Sequence, residues 1–491
     1  MAAGILHDVA LSYQLLWNTQ REVAGVALTL DAPSDSAFDA AHFIHTLSEL
    51  WGPSAPGLML RTPSPAVLVK LLDLTPKALA QVEVQSRMLG DAAMLQHVRH
   101  AQQRGLQLVW HGEPGQRLMA AFVPSFAQTI FNLSTDEALM ALRLSLRRRH
   151  GSVHPPGLRS DSPVRADRVY DGIASRALAE HCLDEQAAAA LLGWPTEDVL
   201  YSYHQTRIQP SHQTVTHLIN AIEADTAMDH IERWLGEEPM LAYRFLRYAN
   251  SVGLGLNREI DALRQGLLVL GLARTKSWLQ ELLPKATHDL NLQPVRQVMV
   301  LRARFMAELL EAGESTALKR ELYLCGLLSQ IDLLLGEPMH SGVRALPLPG
   351  RIKDALLAQE GPYWPYLDLA ASMESPFLEA TRSRCAQHGF DLEDVNLALL
   401  RTLARYTPSC NSRRQSPTHT WVAPPAPARA SAPGLASNPA RPKPTRAERW
   451  SWRRWPNAGS ATAACASTSW RGAKALALAS PSPVRTRKNV V

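Results

Sequence analysis

The stretch that most restricts what this chain can fold into runs from Glu237 to Leu283, EEPMLAYRFLRYANSVGLGLNREIDALRQGLLVLGLARTKSWLQELL. Pro239 suits the first turn of a helix, where its missing N–H is not needed, and Glu237 and Glu238 stand beside the positive end of the helix dipole. Leu241, Ala242, Phe245, Leu246 and Ala249 then share one apolar face. Asn250-Ser251 ends the helix, because Gly253 and Gly255 follow. A second helix is expected from Asp261 as N-cap, carrying Leu263, Leu267 and Leu270 until Gly271 interrupts it. A third follows through Trp278, Leu279, Leu282 and Leu283.

The ordered set of Pro239, Leu246-Arg247-Tyr248-Ala249-Asn250-Ser251, Gly253-Leu254-Gly255 and Leu268-Val269-Leu270-Gly271 resembles the signature of the HDOD domain, a bacterial all-α signalling module. Leucine spacing alone fits any helical bundle; the Pro, Arg, Asn-Ser and Gly punctuation does not. The resemblance extends more loosely over residues 206–406, with apolar stripes at Leu218, Ile219 and Ile222 and at Ile231, Trp234 and Leu235. A strong helix is expected over Val295 to Ala312, with Arg296, Arg302 and Arg304 mostly on its outer side, and a last one over Glu393 to Ala404.

HDOD domains are held to be relatives of the HD phosphohydrolases, whose metal-binding His-Asp pair sits in a run similar to GLLHDIG. This chain has Gly326-Leu327-Leu328-Ser329-Gln330-Ile331 there, a hydroxyl and an amide in place of imidazole and carboxylate. Asp332, two positions on, reads as a cap or a buried hydrogen bond.

In the N-terminal domain, residues 8–205, the stretch from 8 to about 130 alternates short apolar runs with helical spacing. Residues 23–30, 57–61, 80–85 and 106–112 read as strands, and Phe38 to Trp51, Pro65 to Leu74 and Asp91 to Arg104 as helices, which makes the class α/β. This half resembles, in order, the EAL family of cyclic di-GMP phosphodiesterase barrels. Tyr13-Gln14-Leu15-Leu16 stands where that family has a metal-binding glutamate before two leucines. Arg61 takes the place of an asparagine, Glu83 and Ser86 stand where two acids lie three apart, and His111-Gly112 where paired aspartates follow. Two divalent ions need several anionic oxygens, and a site in which Gln, Arg, Ser, His and Gly replace all but Glu83 cannot hold them, so the resemblance implies a degenerate, shortened or incomplete barrel without catalysis. Taken alone, Glu83 reads as a solvated surface acid. His97 and His100, three apart on one helix, read as exposed, and Arg147-Arg148-Arg149-His150 as the cationic end of a helix begun near Asp136. Residues 151–168 read as a loop, and Tyr170 to Ala190 as helical.

Composition decides the remaining classes. Residues 410–491 hold fourteen Lys and Arg against one acid, Glu448, which leaves residues 1–409 with 37 basic and 44 acidic side chains, a net −7. The folded part therefore gives no support to a DNA-binding surface. Beyond Tyr406 the chain is Ala, Pro, Ser, Arg and Trp without apolar periodicity, so 407–491 is expected to be a disordered basic tail, either an out-of-frame or neutral extension or a segment whose Trp-Arg run meets nucleic acid or a membrane surface. No apolar span suits a membrane, the N-terminus lacks a signal-peptide pattern, and five scattered cysteines fit a reduced cytoplasm. No G-x-S-x-G, P-loop, H-E-x-x-H or paired CxxC occurs. The expectation is a non-catalytic signalling protein with no cofactor and no metal. Tyr243, Arg244, Arg247 and Tyr248 lie off the apolar stripe, so they either meet a partner protein on the HDOD surface or pack between the two domains. Cyclic di-GMP binding with residual phosphodiesterase activity is the alternative, and nucleic-acid binding through the tail a second. Partner identity and oligomeric state stay open.

Overall fold

The computed structural model describes residues 6, 9–32, 38–119, 122, 125–149, 162–204, 206–251, 259–310, 315–374 and 378–406. Gly253, Gly255, residues 151–161 and the tail from 407 lie outside them. The first half is an eight-stranded closed barrel: β1 Ala10–Trp17, β2 Val23–Asp31, β3 Gly57–Arg61, β4 Gln81–Gln85, β5 Leu108–His111, β6 Gln128–Asn132, β7 Val169–Asp171 and β8 Ala190–Leu192. Neighbours run parallel except around β1, which is antiparallel to both β2 and β8. Against the expectation of an incomplete barrel, all eight strands close into one. The expected helix over Tyr170 to Ala190 is wrong at both ends: residues 169–171 and 190–192 are the last two strands, which the sheet's hydrogen bonds claim from their neighbours. Three-residue strands leave too little alternation to be read.

Helices α1 Ala40–Leu50, α2 Pro65–Leu74, α3 Ala92–Gln103, α4 Thr135–Arg149, α5 Arg176–Glu180 and α6 Thr196–Tyr201 belong to this half. Asp39, Ser64 and Asp91 cap the first three by accepting a first-turn backbone N–H. The β1–β2 hairpin has no crossover helix, so one side of β1 needs another cover. Leu11, Tyr13, Leu15 and Trp17 point to that side and join the main core, whereas Leu16 belongs to a separate cluster with Ala27, Met59, Val109, Ile130 and Val169 that fills the barrel interior.

The cover comes from the second half. Its helices are α7 His212–Glu223, α8 Met228–Gly236, α9 Pro239–Ala249, α10 Leu263–Leu282, α11 Gln293–Leu309, α12 Thr316–Leu328, α13 Ile331–Leu335, α14 Met339–Arg344, α15 Gly350–Lys353, α16 Trp364–Met373, α17 Leu378–His388 and α18 Leu392–Ala404. The last three lie against β1. Fully buried Asn396 of α18 donates to the carbonyls of Leu6 at 2.9 Å and Val9 at 2.5 Å, and Arg21 pairs with Asp184 at 2.5 Å while donating to Asn291 at 3.1 Å. Barrel and helices thus share one core.

Glu238 does more than face a dipole: it caps α9 through the Leu241 N–H and pairs with buried Arg296 at 2.8 Å. The cap of α10 is Ala262, not Asp261. Gly271 breaks α10 with φ 73° and ψ 161°, a backbone state that side-chain-bearing residues avoid. Arg296 and Arg302 correct the outward reading of α11, since both are 5% exposed.

Asn250 shows why this helix ends in Asn. Its amide donates to the carbonyls of Leu246 at 2.8 Å and Ile260 at 2.7 Å, and its Oδ1 accepts the Ile260 N–H at 2.8 Å. The side chain pins the far end of the connecting segment to α9. Asn250→Ala leaves the N–H and C=O of buried Ile260 without these partners and is expected to cost about 2 kcal/mol, read as a lower urea midpoint at unchanged slope.

Candidate functional site

At the C-terminal ends of the parallel strands the barrel lumen turns polar. Alternation from the apolar Leu16 layer puts Ser12 and Gln14 inside, followed around the barrel by Thr29, Arg61, Glu83, His111, Asn132 and Asp171. Arg61 sits in the middle. Its Nη1 donates to Gln14 Oε1 at 2.6 Å, and its Nε lies 2.8 Å from Glu83 Oε2. Glu83 is 2% exposed, so the reading of it as a surface acid is wrong. Its other oxygen meets His111 Nδ1 at 3.1 Å. Burial pushes the Glu83 carboxyl up, but Arg61, followed by His111, outweighs burial and holds it below the usual carboxylate range.

His111 Nε2 lies 3.3 Å from the Asn132 amide and 3.5 Å from Asp171 Oδ2. With its proton on Nδ1, His111 donates to Glu83 and accepts at Nε2 from Asn132, which leaves the Asp171 carboxylate without a donor from the ring. Sequence reasoning missed Asn132 and Asp171. Their signal was weak: Asn132 ends β6, a strand not expected at all beyond residue 112, and Asp171 lies in a segment read as helix. Ser12 Oγ, Thr29 Oγ1 and Asn132 Oδ1 find no partner among the described residues. Ser86 begins a short turn beside an opening of about 270 Å³ bordered by Arg87, His111 and Asn132.

The second expected centre has the same chemistry. Ser329, at the end of α12, donates to the Gly326 carbonyl at 2.7 Å and accepts from Arg302 Nη1 at 2.7 Å. Arg302 in turn forms a two-pronged pair with Glu374, at 2.7 and 2.6 Å. Gln330 and Asp332 stand at the start of α13, where burial raises the Asp332 carboxyl. Gly326 allows the closeness of α11 and α12, since a Cβ there would lie 2.7 Å from the Ala303 Cα. Tyr13 and Gln14 are consecutive on β1. Gln14 reaches Arg61 in the lumen, while Tyr13 faces the helices and feels the charges of Glu374 and Arg302, with burial the main cause of its raised pKa. One strand therefore touches both centres.

The proposed surface residues part company. Tyr243 is 2% exposed and donates to the Gly342 carbonyl at 3.2 Å, so it is floor and not surface; α14 packs over it. Arg244 is half-buried and Arg247 exposed. Tyr248 stacks on Trp278 with centroids 5.5 Å apart. Of the two histidines on α3, His97 pairs with Asp73 at 3.1 Å and His100 is exposed. Among the described residues no three His, Cys, Asp or Glu side chains cluster as metal ligands, and no helix is long and apolar enough to cross a membrane.

Residues 208–339 match the family model described as the HDOD domain. The cyclic di-GMP phosphodiesterase CdgJ of Vibrio cholerae serotype O1 is 27% identical over 207 residues, 40% of this chain and 46% of that protein. The uncharacterized protein YuxH of Bacillus subtilis is 26% identical over 186 residues, 36% of this chain and 45% of that one. The chain thus matches about half the length of these curated relatives. Among solved structures, the MmoQ response regulator of Methylococcus capsulatus superposes with a TM-score of 0.33 at 17% identity, over 39% of this chain and 98% of that one.

Proposed function

With residues 208–339 an HDOD domain, we propose that this chain is a signalling protein that acts by contact and not by catalysis. The observation that carries the reading is Arg61: a fixed positive charge held between Gln14 and Glu83 where a hydrolase of the EAL kind would need cations. A guanidinium 2.8 Å from Glu83 neutralises it and repels a divalent ion, and the remaining lumen groups among the described residues are amides, hydroxyls, an imidazole and Asp171. The donor set does not fit two ions. Arg302 repeats the arrangement at Ser329, where the neutral hydroxyl is already bound. The helical half then has a binding role, with Arg244, Arg247 and Tyr248 as its open residues.

Incubating the full chain with cyclic di-GMP and Mn2+ is expected to yield no linear dinucleotide above buffer. Product that disappears in Glu83→Gln would overturn the reading. A second reading has its own support: the unpartnered Ser12, Thr29 and Asn132 oxygens in the polar lumen, together with the name of the Vibrio relative, favour binding of cyclic di-GMP without turnover. Calorimetric titration with that nucleotide separates the two, and absence of heat removes the second.

A further inference from the structure

Beside α9 lies a groove of about 400 Å³ bordered by Arg207, Tyr243, Arg244, Arg247, Tyr248 and Trp278. Three guanidiniums share it. Glu337 pairs with Arg207, but among the described residues no carboxylate stands within ion-pair distance of Arg244 or Arg247. Glu238, the acid whose charge acts on Arg244, is committed to Arg296 and to the cap of α9. Burial lowers the Arg244 pKa, and Arg207 and Arg247 push the same way. Crowding like charges over apolar rings is unfavourable for the chain alone and favourable once carboxylates arrive.

The rings supply the second half of a recognition surface. The Arg247 guanidinium lies 5.9 Å from the centre of the Tyr243 ring, and Tyr248 lies flat on Trp278 with a 17° angle between planes, which leaves its exposed part at the groove. Arg, Tyr and Trp are the residues that anchor protein interfaces. Arg244 and Arg247 are three apart on one helix, a spacing of roughly 5–6 Å that suits side chains of another chain segment. The chain's own tail is excluded as occupant by charge, with fourteen basic residues and one acid over 410–491.

We propose that this groove docks an acidic segment of a partner protein, two of whose carboxylates meet Arg244 and Arg247 while an apolar side chain lies on Tyr248. Its meaning in signalling rests on the contact reading above; its chemistry does not. The probe is a fluorescein-labelled peptide alternating Glu with Leu and Tyr, titrated into the full chain by anisotropy. Saturable binding that weakens with salt is expected, and Arg244→Ala and Arg247→Ala should each weaken it roughly tenfold. Arg401→Ala, an exposed site on α18, should leave it unchanged. Exposed Arg247 keeps the test valid should the Arg244 variant misfold. Equal binding of a peptide with Gln for Glu, unchanged binding in Arg247→Ala, or uridine monophosphate binding with no peptide binding would each overturn the proposal. Turnover of cyclic di-GMP would sink the non-catalytic reading and leave this groove standing.

Discussion

Arg302→Ala should lower the unfolding free energy by about 3–5 kcal/mol, the range for removing one member of a buried ion pair. Arg302 is 5% exposed, and its three donors go to Glu374 and Ser329. Alanine leaves Glu374 without its counter-charge in the wall between α11 and α16, with Tyr13 of β1 close by. Urea unfolding measures the loss as a lower midpoint. The double variant Arg302→Met with Glu374→Leu should recover much of it, because apolar groups of similar volume can replace a buried pair at little loss. A single-variant loss below about 1 kcal/mol, as exposed pairs give, would mean that the pair is a surface contact.

Arg61→Ala should have a comparable effect of about 3–5 kcal/mol, and it should also reverse a pH trend. In the intact chain the folded-state pKa of Glu83 lies below its unfolded value. Its carboxylate therefore adds stability above the unfolded pKa, and that contribution fades as pH falls through the folded one. Without Arg61, burial, already the largest single influence, is opposed only by His111 and Gln85 and is expected to lift the folded pKa above the unfolded one. The contribution of Glu83 is then present at low pH and is lost as pH rises. Urea midpoints across the acid range, with Glu83→Gln as the reference that removes both slopes, check this. Parallel slopes in wild type and Arg61→Ala would contradict the Arg61–Glu83 pairing.

Local chemistry was readable where it is written locally. The Pro, Arg, Asn-Ser and Gly punctuation from Pro239 to Gly271 pointed to the HDOD domain that residues 208–339 match. The helices expected over Phe38 to Trp51, Pro65 to Leu74 and Asp91 to Arg104 are present within two residues at each start. Gln14, Arg61, Glu83 and His111 were picked out by the resemblance to the EAL family, and they do meet in one lumen. What stayed hidden depends on partners far along the chain. Arg302 looks like a solvated helix residue until Glu374, 72 residues away, is seen to hold it. Tyr243 looks free until α14 covers it. The apolar outer side of β1 carries no sign that its cover comes from α16, α17 and α18. Asp171 and Asn132 sit in strands too short or too late to be counted, yet both line the lumen.

The non-catalytic proposal rests on the Arg61 guanidinium held beside Glu83 in the barrel lumen. Calorimetric titration of Mn2+ into the full chain tests this most directly. The account predicts no heat beyond dilution for the wild type. Stoichiometric uptake of Mn2+ that is abolished in Glu83→Gln or Asp171→Asn would contradict it.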